Sequence, residues 1–174
     1  MNDKIAINRV TNANVYMNGN SLLGRAEEVE LPQIKHKMAE HKALGMVGTA
    51  EFFAGIDKME AKIKWASFYS EVMREAVHPF KTVQLQTRSS LETYTGQGRT
   101  AEVPVMVMLT AAFKEFPLGS FKQHEPAVVD TVLSVYYAAM EIDKQQIFEI
   151  DVLNNIYKVA GDDVLATYRL NIGA

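Results

Sequence analysis

The chain contains no cysteine, and that absence excludes disulfide staples, thiolate nucleophiles and Cys-ligated zinc. Nor does it hold an uncharged apolar run near the ~20 residues of a membrane span, and its opening MNDKIAINRV lacks the apolar core of a signal peptide. The expectation is a protein that folds in the cytoplasm without a membrane anchor. A basic block is missing too. With 18 Lys and Arg against 21 Asp and Glu, the net charge is −3, which argues against stable DNA binding through phosphate neutralisation.

Reactive constellations are equally scarce. Gly96-x-Gly98-x-x-Ala101 matches a dinucleotide fingerprint on paper, but the glycines would have to open a helix, whereas the residues that follow, with Pro104 among them, read as strand. A hairpin tip is the better reading. His36, Glu40 and His41 have the wrong spacing for two imidazoles on one zinc, because i and i+5 fall on opposite faces of a strand and far apart around a helix. Glu149 and Asp151 share a strand face without a paired histidine and read as edge charges. His78 and His124 sit beside proline-containing turns with no G-x-S-x-G nearby. No enzyme, cofactor or metal site is expected.

What the sequence does have is material for one core. At 174 residues it can bury about 70% of its unfolded surface, and 48% hydrophobic with 22% charged residues is the balance of a globular domain rather than a disordered one. Residues 102–143 dominate. They read as two long strands joined by a loop. Val103, Val105, Val107, Leu109, Ala111 and Phe113 fall on one side, against Glu102, Pro104, Met106, Met108, Thr110, Ala112 and Lys114. In the second strand Val129, Thr131, Leu133, Val135, Tyr137 and Ala139 oppose Val128, Asp130, Val132, Ser134, Tyr136, Ala138 and Met140. Strands usually run to about 5 or 6 residues. Runs of twice that length, apolar on both sides, predict a sheet covered either by its own helix or by a neighbouring subunit.

The remaining segments fall around this pair. Residues 1–13 are polar and Asn-rich, an arm ahead of a domain at 14–174. Residues 14–31 read as a hairpin about Asn18-Gly19, stopped by Pro32. Residues 33–50 form a charged excursion, part strand and part loop, with Gly45 and Gly48 near its end. An amphipathic strand follows, with Met59, Ala61, Ile63 and Trp65 inward. Tyr69, Val72, Met73, Ala76 and Val77 mark the one helix, over 68–77, capped by Ser67 or Ser70 and ended by Pro79. Residues 81–91 return to alternation, 93–100 read as a polar hairpin loop, and 145–151 and 156–159 as strands. A turn falls at Gly161, and 162–170 hold one or two helical turns.

Taken together, NVYMNGNSLLGRAEEVELPQIKHKM, ALGMVGTAEF, MEAKIKW and FEIDVLNNIYKVAGDDVLATYRLNIGA closely resemble the major tail tube proteins of contractile-tailed bacteriophages and R-type pyocins. The resemblance spans roughly residues 14–173 and rests on Asn18-Gly19, Leu31-Pro32, Gly45-Met46, Glu149-Ile150-Asp151, Arg169 and Asn171-Ile172-Gly173; residues 77–130 match more loosely. Ala160-Gly161 departs from the usual Asn-Gly turn, and the N-terminal arm is a few residues longer.

The resemblance implies a mainly β (α+β) subunit: a small antiparallel barrel or sandwich with one flanking helix, an extended arm and a loop, assembling as hexameric rings that stack into a tube. It implies sheath, baseplate and tape-measure proteins as partners, assembly in the host bacterial cytoplasm into a virion tail or tailocin, and DNA that passes the lumen without specific binding. On this basis Lys35, Lys37, Glu40, Lys42, Gly45 and Met46 are expected at contacts between rings. Met106, Met108, Thr110, Asp130, Ser134 and Tyr136 are expected on the strands lining the lumen. The alternatives are a tube of a type VI-like or other contractile injection system, similar in fold, and a monomeric β-barrel that binds a small molecule.

Overall fold

The computed structural model describes residues 5–174. The first four residues of the expected arm lie outside the described residues. The first strand, β1 (Ile7–Met17), already takes in the rest from Ile7 onward. It turns at Asn18-Gly19, both at positive φ, the geometry that a two-residue hairpin favours. The return strand β2 is only Asn20–Ser21, shorter than the sequence suggests. Leu22 plugs the core, its N–H donating to the Val15 carbonyl at 2.7 Å. The chain then crosses to β3 (Ala26–Glu30), which pairs with β6 (Met59–Trp65) and not with β1. The turn signal was local; which strand receives the returning chain is decided by the core.

Three long strands form the frame: β7 (Val83–Thr95), β8 (Gly98–Glu115) and β9 (Val129–Ile142). The tract over 93–100 is mostly strand, and only Gly96 and Gln97 form the turn. The order β9-β8-β7-β1-β2 is antiparallel throughout, and β9 also carries β10 (Gln145–Asp151), followed by β11 (Ile156–Val159) and β12 (Asp162–Asp163). Along residues 129–135 the same edge of β9 pairs with β6. The sheet curls around its core without closing, because among the described residues β3 is tied to β1 and β2 by chain and not by a ladder. Of the expected barrel or sandwich, the structure has an open, coiled antiparallel sheet and not a closed barrel. Among the described residues there are two helices, the expected α1 (Ser70–Val77) and α2 (Ala166–Ile172), the latter overlapping the one or two helical turns expected over 162–170.

The inward alternation of β6 holds fully: Met59, Ala61, Ile63 and Trp65 are all buried. Burying a side chain of this kind stabilises by about 1.5–3 kcal/mol. In β9 the alternation breaks. Thr110 pairs with Tyr137 while Ala111 pairs with Val135, leaving Tyr136 as the extra residue of a bulge. Beyond it Ala138 and Met140 face Leu109 and Val107 on the core side, and Tyr137 and Ala139 cross to the other face. One inserted residue reverses every later side chain. α1 starts at Ser70 with Tyr69 as N-cap and no side-chain cap bond, so neither proposed serine caps it. Glu71 and Arg25 form an ion pair there, and Val72 joins the buried cluster that includes Val83 and Val129.

Trp65 brings one polar atom into that core. Its indole N–H donates to Thr131 Oγ1 at 3.0 Å, and the Thr131 hydroxyl donates to the Ile63 carbonyl at 3.1 Å. Thr131 is completely buried. Thr131→Val keeps the shape but orphans the indole N–H, which costs about 1–3 kcal/mol. Urea unfolding should show that loss of stability; a variant as stable as the parent would mean that the bond contributes nothing.

Candidate assembly surface

The two sets of sequence-predicted residues fall on two separate surfaces. Lys37 and Glu40 lie on β4 (His36–His41), which pairs with β5 (Ala50–Ile56) as a two-stranded sheet separate from the main one. Lys35 precedes β4, and its carbonyl accepts the Asp57 N–H at 2.8 Å. Lys42, Gly45 and Met46 form the tip, with Gly45 at φ +87° and nothing near a would-be Cβ. Every β4 residue is exposed. A two-stranded hairpin is marginal by itself in water, and this one exposes Met38, Phe52, Phe53, Leu44 and Val47. Its root is fixed by few contacts: His36 hydrogen-bonds the Tyr157 hydroxyl at 3.1 Å and meets Phe53 edge-on at 5.4 Å, and Lys37 lies 3.7 Å from Asp57.

The second surface is the outer face of the main sheet. Met106, Met108 and Thr110 lie there on β8, opposite Glu141, Ala139 and Tyr137, with Ser134 opposite Ala112 and Asp130 opposite Lys64. Tyr136 sits in the bulge. α1 packs on the core side, where Val72 joins the buried cluster. Met106, Met108 and Thr110 stay half-buried on the other. The sheet's own helix therefore does not explain why its second face carries methionine and tyrosine.

Charge on this face is largely neutralised within the chain. Lys114 meets Glu60 at 2.6 Å, Lys62 meets Glu30 and Lys64 meets Glu27 at 3.1 Å, and Arg99 lies 2.7 Å from Glu92 and 3.3 Å from Glu102. Arg88 stacks its guanidinium over Tyr16 at 4.8 Å and bonds Gln86. Among the described residues Asp130 and Glu141 have no ion pair, and neither has Arg88, so the pairing leaves the face close to neutral. Solvated pairs of this kind add little stability; their effect is on the surface potential.

Sequence reasoning set Glu149 aside as an edge charge, yet it is the hub of this face near β10. It accepts from Lys158 at 2.8 Å, Gln146 at 3.2 Å and the Tyr137 hydroxyl at 3.3 Å. The Lys158 hydrogen bond, more than any other influence, holds its carboxyl below the ordinary value of 4.5, while burial and the Glu149 charge raise the Tyr137 phenol. No local motif signals this, because Tyr137 reaches the outer face only through the bulge.

An open edge lies beside these surfaces. β1 pairs with β7 along one side, but on the other, among the described residues, only Tyr16 and Met17 have a strand partner. Residues 7–14 thus present unpaired backbone groups, with Ile7 and Val10 more than half exposed.

This open antiparallel sheet with an uncovered second face and a projecting hairpin is a fold shared with chains of a contractile injection system. The chain superposes with a TM-score of 0.56 on a chain of the extracellular contractile injection system PVC sheath/tube terminator in its extended state, at 12% identity over 74% of this chain and 92% of that one. A chain of the PVC sheath-tube complex gives the same score and identity over 74% and 87%. The sequence is more specific. Residues 7–173 match the family of phage tail tube protein FII, and the tail tube protein of Escherichia phage P2 is 30% identical over 164 residues, 92% of this chain and 94% of that protein. The chain belongs to the phage tail tube protein FII family and is a structural subunit of a contractile tail tube.

The Glu149 network gives a pH prediction. Because its folded pKa is depressed, its contribution is complete above pH 4.5 and is lost as pH falls through the lowered value. Glu149→Gln should therefore cost about 1 kcal/mol at pH 7, with the difference from the parent shrinking below pH 4.5. Thermal melts across pH 3–7 would register it; a pH-independent difference would contradict the assignment.

Proposed function

We propose that this subunit forms hexameric rings which stack into the hollow inner tube of a contractile tail. On this reading the open edge of β1 pairs with a neighbouring copy, so that the sheet continues around the ring. The single observation that carries it is that edge: unpaired backbone from residue 7 to 14 on a frame of strands up to 18 residues long. Such an edge is an aggregation hazard in a monomer, and ring closure removes it. Closure by rotation gives a ring, and stacking of rings gives a filament.

The outer face with Met106, Met108, Thr110, Asp130, Ser134 and Tyr136 would line the lumen. Its lysines and Arg99 are held against carboxylates, and Arg88 is offset by Asp130 and Glu141, which would leave a near-neutral wall past which phosphate slides without binding. The surrounding sheath would drive this conduit through the cell envelope, with baseplate and tape-measure proteins as further partners. The tube would be assembled in the host cytoplasm, and the arm would be residues 1–13, ahead of the tube domain. The 30% identity to the phage P2 tail tube protein favours a phage tail over a type VI-like or other injection system, where the same tube would carry other cargo. A monomeric ligand-binding barrel would require the open edge to stay unpaired at high concentration.

Contacts between rings fall to the β4–β5 hairpin, with Lys35, Lys37, Glu40, Lys42, Gly45 and Met46 along it. Gly45→Trp should leave rings but prevent long tubes. Because Gly45 sits at φ +87°, Gly45→Asn, a residue that tolerates positive φ, separates backbone strain from bulk and should still form tubes. Negative-stain electron microscopy reads both; long tubes from the tryptophan variant would remove the hairpin from the interface.

A further inference from the structure

A groove of about 480 Å³ opens at the root of the hairpin, between β5, the end of β10 and α2. Phe53, Ile56, Val152, Ile156, Leu165 and Tyr168 line it, and Asp151 supplies its charge. At the far end of the same hairpin, Leu44 and Val47 are fully exposed. Root and tip are separated by the arm of β4, roughly 17–20 Å at the rise of a strand, so the tip does not fill the groove of its own chain.

We infer that the groove receives the hairpin tip of a second copy, with Leu44 and Val47 entering beside Val152 and Leu165. Two features match tip to groove. The apolar tip meets an apolar lining, and Lys42 at the tip and Asp151 in the groove are both without an ion pair among the described residues. Asp151 is instead held by the Leu153 and Asn154 N–H groups at 3.0 Å, which fixes its carboxylate in place. Root-to-tip docking is heterologous: each copy offers a tip and a groove on different surfaces, so the contact propagates along the tube and does not close on itself. This inference rests on the proposed role of the hairpin between rings.

The absence of cysteine makes a clean test. The full-length double variant Leu44→Cys/Val152→Cys is assembled under reducing conditions, joined with a short bismaleimide and run on a denaturing gel, with each single-cysteine variant beside it. The expected result is a ladder of dimers, trimers and higher species from the double variant, and dimers at most from the singles. If the double variant does not assemble, the pair Val47→Cys/Leu165→Cys is read in the same way. Assembled tubes that give no ladder from either pair overturn the docking. A second variant, with residues 43–48 replaced by two glycines, separates the two claims. If it forms long tubes, the hairpin's place between rings fails as a whole. If it stops at rings while the cysteine pairs give no ladder, only the groove assignment fails.

Discussion

Everything in this subunit depends on the backbone hydrogen bonds of the long antiparallel ladder β9-β8-β7-β1. Between them the two ladders of β8, to β7 over residues 98–111 and to β9 over residues 105–115, span its whole length, and they hold the core residues of β6, α1 and β9 against one face. The same ladder produces the surfaces that remain unfilled. A strand of 18 residues is longer than the core beneath it, so its N-terminal end, with the end of β7 and the start of β1, extends past the packed region. A ladder built in one direction also ends somewhere, and here it ends on β1. A lone chain of this fold therefore leaves one sheet face and the long β1 edge without strand partners among the described residues, and the separate β4–β5 hairpin adds a third exposed surface.

Much of this was legible in the sequence because alternation is a strong signal where one face is buried. The inward set Met59, Ala61, Ile63 and Trp65, the strand over residues 145–151 and the turn at Asn18-Gly19 follow from local pattern alone. The hairpin of β4 and β5 was half legible, as an excursion that is part strand. What was hidden depends on contacts between distant segments. The bulge at Tyr136 arises from the fit of β9 to β8, and no residue in YYAAM announces that one of them is extra. The pairing of β3 with β6 and the missing serine cap of α1 are likewise set by packing. At the assembly surface, spacing put Met106, Met108 and Thr110 on one face correctly, but Glu149 and its partners come together only in the folded sheet.

The chemistry of the surfaces is that of a structural part. The buried polar pair Trp65–Thr131 and the Glu149 network fix the geometry of the sheet. The lysines of the outer sheet face and Arg99 lie against carboxylates, while Arg88 stacks on Tyr16, which leaves a face with little net charge. The hairpin, by contrast, carries apolar side chains with nothing against them, which suits a surface that must bind. The membership in the tail tube family and this division between a neutralised face and an adhesive arm fit the same conduit.

The most direct test of the account is a cryo-EM reconstruction of the assembled protein at a resolution that traces backbone hydrogen bonds across subunit boundaries. The account predicts that residues 7–14 of β1 pair with a strand of the adjacent copy and that Met108 and Thr110 face the central channel. Subunits that touch only through side chains, with the β1 edge left to solvent, would contradict it.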